Sequence, residues 1–311
     1  MNKSNNNSIA LLKLLFLLLI CSFSAYSQRD NHAIDSATIT GADWHIVSKE
    51  GVSIGYHEFD YLFGEPQAFF VVIIPSSEIY RLHLSADTVL TTVSEQAKRL
   101  NASLAINGTF FDMDSVNTFP VCYLRIDNNE LGINTTPLSG DTTQRKYFQY
   151  ATLVLDADTI GFIVPDSARF YERHLPHANI MTAGPMLLWD GKMVPQRNDR
   201  TFVTHRHNRT AIGIRHDGSV ILLVADGRFP KNAAGLSLHQ LALAMQWLGC
   251  YQAMNLDGGG SSTLYVDGDE FNNTDGVVNH PSDNNKFDHM GQRDVANIIY
   301  LARPSKTQSN Q

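Results

Sequence analysis

Alternation of apolar and polar positions divides the chain into many short β-like runs and two helical ones. Ala68 to Pro75 is a dense β-forming run closed by a proline, and its unbroken apolar character predicts a strand buried on both faces. Arg81 to Leu84 continues as a neighbouring strand. Thr92-Val93-Ser94-Glu95 has the spacing of a capping box and predicts a helix to about Leu100, followed by a buried strand from Ser103 to Asn107. Ala151 to Val164 reads as a hairpin with its tip at Asp156-Ala157-Asp158, and Ile180 to Leu188 is an apolar segment kinked at Ala183-Gly184-Pro185. Asp-Gly pairs at 190, 217 and 267 mark turns between β runs.

The second helix is predicted from Ser237, with Gln240 completing a capping box and Leu236 stapling against Leu241. Leu238, Leu241, Ala242, Met245 and Leu248 line one face, and Gly249 ends it. It lies between two apolar strands, one ending at Asp226 and the other at Asn255. A strand–helix–strand crossover of this length predicts two strands running the same way, with Asp226 and Asn255/Asp257 on one edge of the sheet, where α/β folds tend to place ligands. The fold class expected is α+β, with mixed, mainly antiparallel sheets and a β-α-β unit carrying the site at its strand ends.

Composition adds limits. The chain has 311 residues, 43% of them hydrophobic, ample for a buried core. Residues 1–27 read as a signal peptide: Lys3 and Lys13 precede or flank the apolar run Leu14 to Cys21, and Ala25-Tyr26-Ser27 forms a small-x-small cleavage site. That run is too short for a stable membrane span, so export to the periplasm or medium is expected. Ile20 before Cys21 argues against lipidation. Formal charge is −7, or −9 once the two signal lysines are gone, which speaks against nucleic-acid binding. The expected organisation is a β segment over 28–90 packed on the same domain, a main domain over 91–303, and a disordered tail over 304–311. The polar stretch Asp112 to Tyr150 reads as an insertion or lid loop with one strand at Val121 to Ile126. Cys122 and Cys250 allow one disulfide, although a buried thiol at Cys250 is the favoured reading.

The chemistry concentrates in Asn255-Leu256-Asp257-Gly258-Gly259-Gly260-Ser261-Ser262-Thr263, where a strand delivers a carboxamide and a carboxylate into three glycines and three hydroxyls. Serial glycines let a ligand approach the main chain and can present N–H groups to an anion. Asn107-Gly108-Thr109-Phe110-Phe111-Asp112 repeats the design, and Ala225-Asp226-Gly227-Arg228 ends another strand in a carboxylate beside an arginine. His205/His207 and His174/His177 are conceivable metal pairs, though solvated loop histidines are the simpler reading. No cofactor is required by the sequence, and a divalent cation between Asp226 and Asp257 stays open. A serine hydrolase using Ser261 or Ser262 is the third reading, disfavoured because no G-x-S-x-G elbow surrounds them.

Six motifs in order, Ile106 to Asp112, Ala183-Gly184-Pro185, Arg209 to Gly213, Val224 to Arg228, Asn255 to Ser262 and Arg293-x-Val295-Ala296-Asn297, resemble the phosphodiester glycosidase family over about Thr92 to Ala302. The resemblance implies hydrolysis of the glycosidic C–O bond of a sugar-1-phosphodiester, with a sugar-phosphate or phosphate-linked glycan as substrate. It carries Asn107, Asp112, Arg209, Thr210, Asp226, Arg228, Asn255, Asp257, Ser261, Ser262 and Arg293 into the site. Thr109 departs from it, standing where the family has glycine.

Departure of phosphate from an anomeric carbon needs carboxylates near the ring and arginines near the anion. Asp226 and Asp257 are accordingly expected as base or nucleophile and electrostatic partner, with Asp112 a third catalytic candidate. Arg228, Arg209 and the N–H groups of Gly258, Gly259 and Gly260 are expected to hold phosphate, with Asn107 and Asn255 on sugar hydroxyls. The remaining substrate contacts fall to Thr210, Ser261, Ser262 and Arg293. A non-catalytic carbohydrate or envelope-polymer binding protein is the alternative.

Overall fold

A computed structural model describes residues 31–113, 120–135, 145–157, 159–198, 200–268, 271 and 275–304. The expected signal peptide, most of the polar tail, Asp158 at its hairpin tip and much of the expected lid loop lie outside these residues. The chain divides into two units, Met1–Ala42 and Asp43–Gln311. In the first, the described part is a helix over 31–40, α1, in a stretch whose alternation suggested only β segments and turns.

The second unit contains three sheets built of antiparallel pairs. The largest has eight strands: β1 (His45–Lys49), β2 (Val52–Leu62), β3 (Glu65–Ile74), β11 (Met186–Trp189), β12 (Lys192–Met193), β13 (Arg209–Arg215), β14 (Val220–Ala225) and β15 (Cys250–Asn255). Their spatial order is β1-β2-β3-β14-β13-β15-β11-β12. β3, predicted from Ala68 to Pro75, lies between β2 and β14, where Phe69, Val72 and Ile74 are fully buried. A five-stranded sheet holds β6 (Leu124–Ile126), β7 (Asn129–Gly132), β8 (Ala151–Asp156), β9 (Thr159–Ile163) and β10 (Ile180–Ala183) in the order β7-β6-β10-β8-β9. The expected lid segment thus contributes a β6–β7 hairpin. The third sheet is β16-β5-β17-β4, made of β4 (Leu82–Thr91), β5 (Ala102–Asn107), β16 (Leu264–Val266) and β17 (Val295–Ala302).

Both capping boxes form. Thr92 and Glu95 cap α2 (Val93–Arg99), and a one-turn helix follows later as α3 (Thr201–Thr204). Ser237 and Gln240 cap α4 (Leu238–Trp247), which Gly249 terminates at φ +90°, a conformation costly to any residue with a Cβ. Gly184-Pro185 is a cis peptide. One contiguous cluster takes Ile54 and Val72 from the first sheet, Leu153 from the second, Leu104 and Ile299 from the third, so a shared core ties the strand ends to one another.

β14 and β15 run parallel, as the crossover predicts, yet they are not neighbours. β13 lies between them and is antiparallel to both. The β-α-β unit therefore straddles a strand: the carboxyl ends of β14 and β15 and the amino end of β13 share one edge, bringing Asp226, Arg209 and Asn255 together.

Candidate functional site

Asp257 stands two residues past β15, with its main chain fixed from both sides. Its N–H donates to Gly108 O at 3.1 Å, and its carbonyl accepts from Asn107 Nδ2 at 2.7 Å. Asn107 is 1% exposed, and its Oδ1 accepts from Thr210 Oγ1 (2.8 Å) and Thr263 N (3.2 Å). Thr210 Oγ1 lies 3.1 Å from Ser262 Oγ. Asn107, Thr210 and Ser262 thus form a buried bracket beneath the glycine loop. Asn107 has no accessible surface with which to meet a sugar, in contrast to the expected contact.

The Asp257 carboxylate is partly exposed but has protein on most sides. Removal from bulk water pushes its pKa up to about 6, against the opposing pull of the Ser261 hydroxyl, the Gly258 N–H and the positive charge of Arg293. Gly258 N donates to Asp257 Oδ1 at 2.8 Å. Asn255 Oδ1 is fully buried with no hydrogen-bond partner, while Asn255 Nδ2 is spent on Gly184 O (2.8 Å) and Leu256 O (2.6 Å).

Each glycine of the loop is required by a close neighbour. A Cβ on Gly258 would lie 2.8 Å from Asn208 O; on Gly259, 2.8 Å from Arg228 Nη2; on Gly260, 2.4 Å from Asp283 Oδ1 and 2.5 Å from Arg293 Nη2. The loop is thus a floor on which two guanidinium groups rest. Its N–H groups are largely taken: Gly258 N by Asp257, as above, and Gly259 N by Asn208 O at 2.9 Å. The expected cradle of three free N–H groups does not form, and the anion-binding capacity passes to the arginines.

Asp226 and Asp257 differ sharply. Asp226 is fully buried, and its Oδ1 accepts from Asn279 Nδ2 (2.9 Å) and His280 N (3.1 Å), its Oδ2 from His280 Nδ1 (2.8 Å) and His280 N (3.0 Å). His280 in turn stacks on Phe287 and His289 at centroid distances of 3.8 and 4.6 Å.

Arg209 is 1% exposed. Its Nε donates to Leu236 O (2.8 Å) and its Nη2 to Phe202 O (2.8 Å) and His205 O (3.1 Å), so it braces the loop before β13. Burial pulls its pKa down to about 9, leaving it charged at neutral pH. Arg228 is exposed at φ +67° and reaches Ser282 Oγ only at 3.5 Å. His207 sits in the field of both: burial first, then the charges of Arg209, Arg228 and His205, push it down to about 4. Positive charge therefore concentrates on one flank of the glycine loop. On the other, Arg293 Nε donates to Asp283 Oδ1 at 3.1 Å. Asp112 is exposed, beside residues 114–119 that are outside the described set.

Sequence reasoning missed Asn208, Asn279, His280, Ser282 and Asp283. With its carboxamide oriented to satisfy both ends, Asn208 donates to Gly227 O (3.1 Å) and Ser282 Oγ (3.0 Å) and accepts from Gly227 N (3.1 Å). The signal was present in Asn279-His280-Pro281-Ser282-Asp283, a run of polar groups around a proline in a segment with no apolar periodicity. Thr109 is 2% exposed, its N–H held by Asn297 Oδ1 at 2.7 Å and its hydroxyl donating to Thr182 O. Thr182 belongs to a buried network in which Arg145 and Glu172, both with side chains fully buried, pair at 2.6 and 2.7 Å, with Thr152, Thr182 and Asn134 completing the carboxylate's bonds.

Among the described residues, no group of three or more His, Cys, Asp or Glu side chains could hold a metal ion. His205 and His207 lie 6.4 Å apart between ring centroids, within the positive field just described, and His177 is spent on Asp156 at 2.7 Å. Cys122 and Cys250 are buried free thiols, so the disulfide between them does not form.

The sequence profile described as phosphodiester glycosidase matches residues 100–302. No curated protein sequence matches. Among solved structures, the zebrafish N-acetylglucosamine-1-phosphodiester α-N-acetylglucosaminidase catalytic domain, auto-inhibited by its pro-peptide, is similar with a TM-score of 0.61 at 18% identity, covering 83% of this chain and 85% of that one. A Synechocystis protein has a TM-score of 0.56 at 16% identity over 84% and 64% of the two chains. A Burkholderia pseudomallei protein described as exported has 0.52 at 18% identity over 78% and 75%. At these identities the likeness is one of fold.

Proposed function

The chain belongs to the phosphodiester glycosidase family, and from that premise we propose that it is an exported hydrolase cleaving the glycosidic C–O bond of a sugar-1-phosphodiester, with N-acetylglucosamine-1-phosphodiesters as the first substrate class to try. The observation that carries this reading is Asp257: a carboxylate pushed up to about 6, open to a ligand, and flanked by arginines over a glycine floor.

In the proposed reaction the bond between C1 and the phosphate oxygen breaks with its electron pair leaving on phosphate. Water bonds to C1, and Asp257 accepts the proton that water loses. A carboxylate with a pKa near 6 is a better base than an ordinary aspartate and is still ionised at neutral pH. The departing phosphodiester becomes a weakly basic phosphate monoester, so a general acid matters less than charge stabilisation. Arg228, exposed over Gly259, supplies the direct contact with phosphate. Arg209 is buried and acts through its field. Arg293 tunes Asp257 and is itself held by Asp283.

Asp226 has a different task. With both oxygens engaged, it positions His280 and Asn279 along the edge of the site. Its full burial keeps it from the anomeric carbon, which supports a single aspartate, Asp257, as the base.

Export rests on residues 1–27; among the described residues no helix is long and apolar enough to cross a membrane. The test is release of free sugar from UDP-N-acetylglucosamine and from a synthetic sugar-1-phosphodiester by the parent chain and by Asp257→Asn. Turnover lost in the variant supports the reading; turnover retained discards Asp257 as base. Ligand binding with no turnover on a panel of sugars would point to a binding protein.

A further inference from the structure

A cavity lies between the third sheet and two turns of the five-stranded sheet, in a region the glycine-loop reading does not use. Its volume is about 230 Å³, lined by His83 and Tyr300 on one wall and by Asp127, Asp156 and Asn179 on the other, with Leu84, Ile126 and Leu155 among the apolar residues that complete it. That is below the roughly 300–1,000 Å³ of sites for drug-sized ligands and suits a single ring.

The walls are built rather than incidental. His83 on β4 and Tyr300 on β17 are direct cross-strand partners, with ring centroids 5.4 Å apart. The facing turn is braced: Asp127 N donates to Asn179 Oδ1 (2.9 Å), Asn128 N to Ala178 O (2.9 Å) and Leu155 N to Asn179 O (3.0 Å). Asp127 and Asn128 both take positive φ, +50° and +65°, forming the tight turn that presents the Asp127 carboxylate. Asp156 is committed to His177 Nδ1 (2.7 Å) and Ala178 N (3.1 Å).

The remaining polar groups are unspent. Among the described residues, the Asp127 carboxylate, Asn179 Nδ2, Tyr300 Oη and the His83 ring nitrogens make no hydrogen bond to protein; Asp127 and His83 are exposed at the cavity mouth, with Asn179 and Tyr300 half-buried behind them. The charge of Asp127 nevertheless reaches both rings. Together with burial it raises the Tyr300 phenol, and it partly offsets the burial that lowers His83. His83 is therefore neutral at neutral pH, offering one donor and one acceptor.

The wall thus presents acceptors on Asp127, donors on Asn179, groups of both kinds on Tyr300 and His83, and an aromatic pair beside them. A simple cation would engage only the carboxylate and leave the amide and phenol to water. A sugar residue has hydroxyls that donate and accept, and an apolar ring face for an aromatic wall. We infer that this cavity is an accessory carbohydrate-binding site taking one neutral sugar residue, separate from the glycine-loop site.

The full-length chain, ¹⁵N-labelled, is titrated with methyl β-glucoside, methyl β-galactoside and methyl N-acetyl-β-glucosaminide, and with methylammonium as a cation control. The expected result is saturable movement of the Asn179 side-chain and Asp127 and Asn128 backbone resonances with at least one glycoside. Asp127→Asn, which keeps the turn, and Tyr300→Phe, which keeps the ring, should each weaken binding by about tenfold. Turnover of a small sugar-1-phosphodiester should not change in either variant. The inference is overturned if these resonances stay fixed at about 50 mM of every glycoside, a weaker affinity than any specific site would show. It is also overturned if movement is confined to Gly258–Gly260, if methylammonium alone moves the resonances, or if neither substitution weakens binding.

Discussion

Asn107 Nδ2 donates to the carbonyl of Asp257 at 2.7 Å, joining residues 150 positions apart in the chain. The bond sets where the Asp257 carboxylate stands, while Asn107 itself is 1% exposed and out of reach of a ligand. Asn107→Ala should therefore lower kcat with little change in KM, and the lost buried bonds should cost about 1–3 kcal/mol of stability. Steady-state kinetics beside a denaturant titration checks both; a pure rise in KM would argue for direct sugar contact instead.

Asp257 makes the pH dependence specific. As a base with a pKa of about 6, it should give a kcat/KM that rises with pH through that value and then levels off. Stability should run the opposite way. The unfolded aspartate titrates near 4, so the folded state holds its proton more tightly between about 4 and 6 and loses stability as pH rises across that window. Asp257→Asn should accordingly be inactive yet more stable at pH 7, by about 2 kcal/mol, and unchanged at pH 4. Melting curves at the two pH values read this directly.

Gly259 has φ +64°, and a Cβ there would meet Arg228 Nη2 at 2.8 Å. Gly259→Ala should displace the guanidinium and cost about 1–2 kcal/mol from backbone strain. Arg228→Ala, at an exposed position, should leave the melting temperature almost untouched while raising KM for phosphodiesters by about tenfold or more. If both variants keep the parent KM, Arg228 does not hold the phosphate.

Arg145 and Glu172 form a fully buried pair whose every oxygen is bonded. Glu172→Gln should destabilise by about 3–5 kcal/mol because it strands a buried guanidinium. Arg145→Met combined with Glu172→Leu should recover much of that loss. A double-mutant cycle measures the coupling.

Burial pushes the thiols of Cys122 and Cys250 up to about 12. Neither should react with a thiol reagent at pH 8 in the native protein, and both should react once denatured. Rapid modification of the native chain would contradict the burial.

The capping boxes at Thr92 and Ser237, the strand at Ala68 to Pro75 and the common edge of Asp226 and Asn255 were legible because each depends on local pattern or on one crossover. The interposed β13 was not, since nothing in the chain's periodicity says which strand a hairpin will wedge between. Candidate groups stand where a strand runs into glycine, yet their separate surroundings stayed hidden: Asp226 and Asp257 look alike in sequence, and only burial separates them. The Asn279 to Asp283 segment escaped because its chemistry depends on where it returns to the sheet edge. Helix α1 was missed in a short segment without a clear apolar stripe.

Because β13 lies between the two strands that carry the aspartates, no contiguous fragment of the chain contains a working half of the site. The bracket spans Asn107 to Thr263, Asp226 waits for His280, and Gly260 is overlaid by Arg293. Catalytic competence is therefore a late-arriving property of the assembled domain, formed only after pairings of long sequence separation have closed. A nicked, truncated or half-folded molecule should be silent rather than weakly active, which makes turnover a readout of complete folding.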